Sequence, residues 1–137
     1  MIRYIDSPEN ITADMLEGFF DGWLNPPTKQ THLKILKNSY ATVLAIDEST
    51  NKVVGFITAI SDGILSAHIP LLEVLPEYRK EGIGTELVRK MLAKLKNLYG
   101  ISLMCDKELQ PFYTHFGMSP GTGMNIRKYE RQAGNNG

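Results

Sequence analysis

The chain has 137 residues, 42% of them apolar and 22% charged, an ordinary globular balance that suffices for one hydrophobic core. Fifteen basic and fifteen acidic residues leave zero net charge, which removes the basic field expected of a protein whose main partner is nucleic acid. No apolar run reaches membrane-spanning length, the first residues lack a signal-peptide stretch, and the lone Cys105 excludes an internal disulfide. The expectation is one domain over residues 1–131, a flexible tail over 132–137, a reducing cytoplasmic setting, and neither membrane nor nucleic acid as partner.

In chain order, residues 2–5 read as a short strand, broken by Asp6, Ser7 and Pro8. Thr12 is a cap for a helix over residues 13–23, whose Met15, Leu16, Phe19, Phe20 and Trp23 share one side. Pro26-Pro27 ends it, and a second helix starts near Thr28 and carries His32, Leu33, Ile35 and Leu36. Residues 40–46 and 53–60 form a strand pair around a polar turn, and Asp62-Gly63 is the next turn. The apolar run over residues 64–75 is strand-like but holds Pro70, which has no N–H for a ladder, so a break is expected between Ala67 and Pro70. Residues 83–98 are the strongest helix: Ile83, Leu87, Met91 and Leu95 recur at helical spacing. A strand over 101–105, a short helix around 108–116 and a strand or hairpin over 121–129 complete the order β-α-α-β-β-β-α-β-α-β.

The chemistry concentrates at Val74-Leu75-Pro76-Glu77-Tyr78-Arg79-Lys80-Glu81-Gly82-Ile83-Gly84-Thr85, a strand end, a turn, two glycines one residue apart, and a helix. A helix that opens on glycines presents unpaired N–H groups with the positive end of its dipole behind them, which is an anion site suited to pyrophosphate. Each N–H bonded to a charged oxygen contributes about 1.5–3 kcal/mol. A dinucleotide fingerprint is excluded because its third glycine falls on Leu87, and a Walker loop because Gly-Lys-Ser/Thr is missing. The alternative is a plain strand–helix turn in which glycine only relieves crowding.

Arg79-x-x-Gly82-x-Gly84 resembles the acyl-CoA motif of the GNAT superfamily of N-acetyltransferases: Gln or Arg, two residues, Gly, one residue, Gly or Ala. Phe112-Tyr113-x-x-x-Gly117-Met118 resembles that family's second segment, in the right order and spacing. The resemblance covers residues 71–118, and the N-terminal half shares only the pattern of elements. It implies a mixed α/β, GNAT-like acyl-CoA N-acyltransferase fold. The central sheet would be mostly antiparallel, with splayed middle strands flanked by helices. It implies an acyltransferase that moves acetyl from acetyl-CoA to a primary amine by direct attack in a ternary complex. The alternatives are a non-catalytic acyl-CoA-binding domain of the same fold and a nucleotide-binding domain without acyl chemistry. Many relatives carry glycine where Lys80 stands, a mild departure if only the amide is used.

Residue by residue, the resemblance implies that Glu73, Val74 and Leu75 pair with pantetheine amides like an added strand. A backbone N–H near Leu75 would polarise the thioester carbonyl. The loop from Arg79 to Thr85 would hold pyrophosphate, with Asp106, Phe112 and Tyr113 beside the cofactor arm. Tyr113 is the catalytic acid for the leaving thiolate. With reference pKa values of about 10 and 8.5, full transfer is uphill by roughly 2 kcal/mol, so hydrogen-bond stabilisation matters more than a completed proton shift. The alternative is an aromatic side chain packing a short helix. Glu73 is the catalytic base, an acid between Leu72 and Val74 in an apolar strand. It stands roughly 8 kcal/mol below an alkylammonium in basicity, so it acts with a raised pKa, through water, or as an anchor for a cation, unless it is a solvent-facing or ion-paired residue. Cys105 reads as a small hydrophobe rather than a nucleophile. Trp23 and Tyr40 are weaker acceptor-side residues, from the place of the early helices in the family. The scattered His32, His68 and His115 have no metal-ligand spacing, so no metal is expected. The acceptor is a small-molecule or peptide amine, and a homodimer is compatible with the resemblance.

Overall fold

The computed structural model describes residues 1–134. Five strands form one sheet in sequence order: β1 (Ile2–Ile5), β2 (Ala41–Asp47), β3 (Lys52–Ser61), β4 (Ser66–Val74) and β5 (Gly100–Leu103). The first three junctions are antiparallel and β4–β5 is parallel. Helix α2 (Ile83–Lys94) is the crossover that a parallel junction requires. Its Ile83, Leu87, Val88 and Met91 are buried against Val43, Ala45, Ile57, Ala59 and Ile69. The other face is covered by α1 (Lys29–Asn38) and the irregular segment before it. There Ile11, Leu16, Phe20 and Leu36 close over Leu44, Ile46 and Phe56. The mixed α/β architecture with a mostly antiparallel sheet is the expected one.

The strands and α1 keep to their sequence signals. Thr28 caps α1 by accepting from the Thr31 N–H, and the β2–β3 hairpin turns through Asn51 in a left-handed conformation. Four expectations need correction, the last of them at Pro70. The helix over residues 13–23 is a single 3₁₀ turn, Ala13–Met15, followed by a loop. Gly18, Phe20 and Gly22 there take φ of 90°, 64° and 84°, which no helix accommodates. Helix α2 stops at Lys94, where the Leu95 N–H bonds both Met91 and Leu92 carbonyls, and Leu98 reaches the core through a following turn. Residues 121–129 form no strand among the described residues, only the 3₁₀ turn Tyr129–Arg131. Of the expected tail, Gln132 Oε1 accepts from the Asn25 N–H at 2.8 Å and Ala133 and Gly134 are half-buried, while residues 135–137 lie outside the described residues.

Pro70 does not break β4. Thr58 pairs with Leu71 and Ile60 with His68, so Ile69 and Pro70 together oppose Ala59 in a bulge that absorbs the missing N–H. The same point ends the parallel pairing: Ser66 to Ile69 match Gly100 to Leu103, and from Pro70 onward β4 has no β5 partner. β5 ends at Leu103, so from Pro70 to Val74 the β5-side edge of β4 has no strand partner.

Candidate active site

The anion loop is built by two left-handed residues. Lys80 has φ of 66° and Gly82, the N-cap of α2, has φ of 85°. Alternating handedness turns successive N–H groups toward one concavity. Among the described residues, the N–H groups of Lys80, Glu81, Gly82, Ile83, Gly84 and Thr85 donate to no protein acceptor. A Cβ at Gly82 would meet nothing within 4 Å, so its side of the cradle is open. These unpaired donors and the open side at Gly82 fit a pyrophosphate group. Lys80 has its backbone where glycine is at ease, so the side chain there carries strain.

The loop is tied down on both sides. Tyr78 Oη donates to Asp47 Oδ2 at 2.5 Å, holding the 3₁₀ turn Pro76–Tyr78 against the end of β2. That bond, with two more from Ser49, holds the Asp47 carboxyl down at about 2, and it raises Tyr78. Arg79 Nε donates to the Val74 carbonyl at 2.9 Å, so this side chain braces the strand end.

The open edge of β4 corrects one expectation. The Leu75 N–H donates to the Val54 carbonyl at 2.9 Å and is not available to a ligand. Strand alternation then turns the N–H and C=O of Val74 to the open side, where Arg79 already occupies the carbonyl. The free donor on this edge is the Val74 N–H, with Leu72 the next residue facing the same way. Gly84 lies where the elements converge: its absent Cβ would stand 3.9 Å from both Phe112 Cζ and Val74 Cγ2.

Tyr113 and Phe112 belong to α3 (Gln110–Thr114), their rings edge to face at 4.9 Å, and like Leu72 and Val74 they pack against the core on the α2 side of the sheet. Burial raises the Tyr113 phenol, and charge at Cys105 adds to it, so the hydroxyl keeps its proton. Cys105 is half-buried beyond β5, and Asp106 is exposed ahead of the 3₁₀ turn Lys107–Leu109.

Glu73 projects from the opposite face of β4. Its two carboxylate oxygens accept from the Phe20 N–H at 3.0 and 3.2 Å. Burial pushes its carboxyl up; the Phe20 bond and the Arg79 charge pull it back, and Asp21 pushes it up again, with a raised value as the result. A cavity of about 290 Å³ opens here, lined by Phe20, Asp21, Trp23, Leu71, Glu73 and Arg79 among others. A larger one of about 750 Å³ lies across the same loop, between residues 17–23, the β2–β3 hairpin and residues 75–78, and does not include Glu73. Trp23 lines both, and Tyr40 lines neither: it stands beside Gly63 at the far end of the sheet.

Sequence reading missed Phe20 and Asp21 as site residues. The signal was present in Gly18 and Gly22, which bracket an apolar stretch too glycine-rich for a helix. His32 was passed over as well. It is buried among Phe19, Phe20 and Phe56, ring centroids 4.4–5.3 Å away, and burial lowers its pKa to about 4. Its neutral ring packs against the ring of Phe20, the residue whose backbone N–H holds Glu73.

A β4 edge left open beyond the bulge, a loop of free N–H donors at the start of α2 and a half-buried tyrosine on α3 are the features that an acyltransferase of this fold would use. The family model described as the acetyltransferase (GNAT) family matches residues 9–118, and the chain belongs to that family. A crystal structure from Deinococcus radiodurans R1, assigned as an acetyltransferase, is 43% identical and superposes with a TM-score of 0.95, covering 99% of this chain and 94% of that one. The N-acetyltransferase ycf52 of Pyropia yezoensis is 28% identical over 120 residues, 83% of this chain and 68% of its own length. GCN5-related N-acetyltransferase 2, chloroplastic, of Arabidopsis thaliana is 31% identical over 74% of this chain, which spans 48% of that protein. No described helix is long and apolar enough to cross a membrane, and no described group of His, Cys, Asp and Glu residues could hold a metal.

Proposed function

We propose that this chain transfers an acetyl group from acetyl-CoA to a primary amine, small-molecule or peptidic, by direct attack in a ternary complex. Bound acetyl-CoA supplies the thioester carbonyl that the amine attacks. The N–H groups of residues 80–85 hold the pyrophosphate, and the Val74 N–H on the open edge of β4 meets the arm of the cofactor. Glu73 takes the proton of the incoming amine, directly or through water, and Tyr113 donates a hydrogen bond to the departing sulfur. Proximity in the ternary complex supplies much of the rate. Asp21 and Glu73 on the smaller cavity favour an acceptor that arrives as a cation and is neutralised beside Glu73.

The observation that carries this reading is the half-buried Glu73 carboxylate, held by one backbone N–H and raised by burial, on the stretch of β4 beyond its pairing with β5. The test is calorimetric titration with acetyl-CoA, CoA and ATP, followed by an amine screen on the wild type and Glu73→Gln. Micromolar acetyl-CoA binding with turnover in the wild type alone is the expected result. Binding without turnover on any amine would favour the non-catalytic domain of the same fold. ATP competing as well as CoA would sink the acyl-CoA reading.

A further inference from the structure

Resting on the reading of Glu73 as the base, we infer that His32 is its positioning residue. The buried imidazole wedges the Phe20 ring against the core and so sets the backbone N–H that holds the carboxylate. The loop that carries Phe20 does not fix its own path. Among the described residues, the one N–H between residues 17 and 22 that has an acceptor is that of Phe20, and its acceptor is Glu73. Gly18, Phe20 and Gly22 all have positive φ, so no regular element sets their course. The place of the N–H is then decided by what the Phe20 side chain packs on. Three aromatic rings meet it: Trp23 at 4.8 Å between centroids, His32 at 4.9 Å and Phe56 at 6.0 Å. Trp23 lies on the same loop and is 38% exposed, so it gives no outside support. Of the two rings held by regular elements, His32 is the nearer.

The setting of His32 suits that role. Its N–H donates to the Thr28 carbonyl at 2.8 Å in the first turn of α1, so the ring extends from a fixed backbone. The residue is 1% exposed, and its ring also meets Phe56 at 4.4 Å and Phe19 at 5.3 Å. It therefore ties the loop to β3. The Nε2 atom is buried without a hydrogen-bond partner. Such an atom costs stability that an apolar side chain would not, and the aromatic faces around it are the contacts left to a ring N–H. Burial keeps the imidazole neutral, at about 4, so it acts on Glu73 through shape and not through charge.

The experiment is heteronuclear NMR of the full chain from about pH 3.5 to pH 8, with amide exchange, on the wild type, His32→Ala and His32→Leu. In the wild type the Phe20 amide shift should follow the titration of Glu73, which Glu73→Gln identifies by abolishing it. In both His32 variants that dependence should be lost and Phe20 exchange should quicken about tenfold, with the amide shifts of α2 unchanged. Kinetics then read the consequence. Either variant should lower kcat about 10- to 100-fold with acetyl-CoA affinity kept, and His32→Leu should cost nothing further once Glu73→Gln is in place. A Phe20 amide that keeps its dependence on Glu73 in the folded variants overturns the proposal, as does an equal loss of kcat with and without Glu73→Gln. Should the alanine variant fail to fold, His32→Leu, close to imidazole in volume, decides alone. A wild type that turns over no amine would sink the function proposed for Glu73, and the Phe20 amide would still decide whether His32 sets its position.

Discussion

The Phe20 N–H donates to both carboxylate oxygens of Glu73, at 3.0 and 3.2 Å, across 53 residues of sequence. Phe20 reaches this position only because it takes a left-handed backbone conformation between Gly18 and Gly22. Such a conformation costs a non-glycine residue about 1–2 kcal/mol. The Phe20 ring, 3% exposed against His32, Phe56 and Trp23, offsets that cost by burial. The loop thereby aims a donor at an acid that would otherwise be a partly desolvated, unpaired charge.

Glu73→Gln keeps the acceptor for Phe20 and removes the base. Turnover should fall about 100-fold with acetyl-CoA affinity unchanged. The raised Glu73 pKa moves the acidic limb of the wild-type kcat/KM profile above the usual carboxylate value of about 4.3. Activity should rise with pH through that limb, and Glu73→Gln should lack the limb. An unaltered profile in the variant would remove Glu73 from the chemistry.

Tyr113→Phe keeps the edge-to-face contact with Phe112 and deletes the hydroxyl. A drop of about 10- to 100-fold in kcat is expected, with little change in acetyl-CoA dissociation constant. Stopped-flow or steady-state thiol release measures it, and full activity in the variant would leave Tyr113 as packing.

The two loop glycines should separate stability from binding. Gly84 has ordinary φ, and an added methyl would meet only van der Waals neighbours at 3.9 Å, so Gly84→Ala should fold at least as stably as the wild type. It would nonetheless intrude on the donor cradle and weaken acetyl-CoA by tenfold or more. Gly82→Ala at φ of 85° should lose about 1 kcal/mol of stability as well. Thermal melts with and without acetyl-CoA distinguish the two.

Lys80→Gly removes strain at φ of 66° while keeping the N–H. Stability should rise by up to about 1 kcal/mol in urea denaturation, with acetyl-CoA affinity preserved. A loss of affinity would mean that the Lys80 ammonium itself contacts the ligand.

His32 predicts a pH dependence of stability. Its folded pKa of about 4 lies below the unfolded value of about 6.5, so the unfolded chain binds more protons between them. Stability should therefore fall as pH drops through that window, by about 2 kcal/mol from pH 7 to pH 4.5. Asp47, held low by Tyr78 and Ser49, adds its loss only below pH 4, and Glu73, raised, acts in the opposite sense. Denaturation of the wild type and His32→Leu at both pH values isolates the effect, because the variant lacks this slope.

What the sequence determined is local. Helix α2 announced itself through Ile83, Leu87 and Met91 at helical spacing, and the anion loop through Gly82 and Gly84, because both depend on side-chain periodicity and backbone freedom within a dozen residues. The hairpin strands and the Phe112-Tyr113 segment were legible for the same reason. The irregularity in β4 had a local trace in Pro70, yet its form, a bulge rather than a break, depended on Ala59 across the ladder. Only the tertiary structure decided that residues 13–23 forgo a helix, since the competing gain lies in a bond to Glu73 and in burial against His32 and Phe56, all remote in sequence. It decided too that Val74 rather than Leu75 turns its N–H to the open edge, because that choice follows from which edge of β4 meets β3. Residues 121–129 mark the same boundary from the other side: their strand pattern is local, but among the described residues none of the five strands pairs with them.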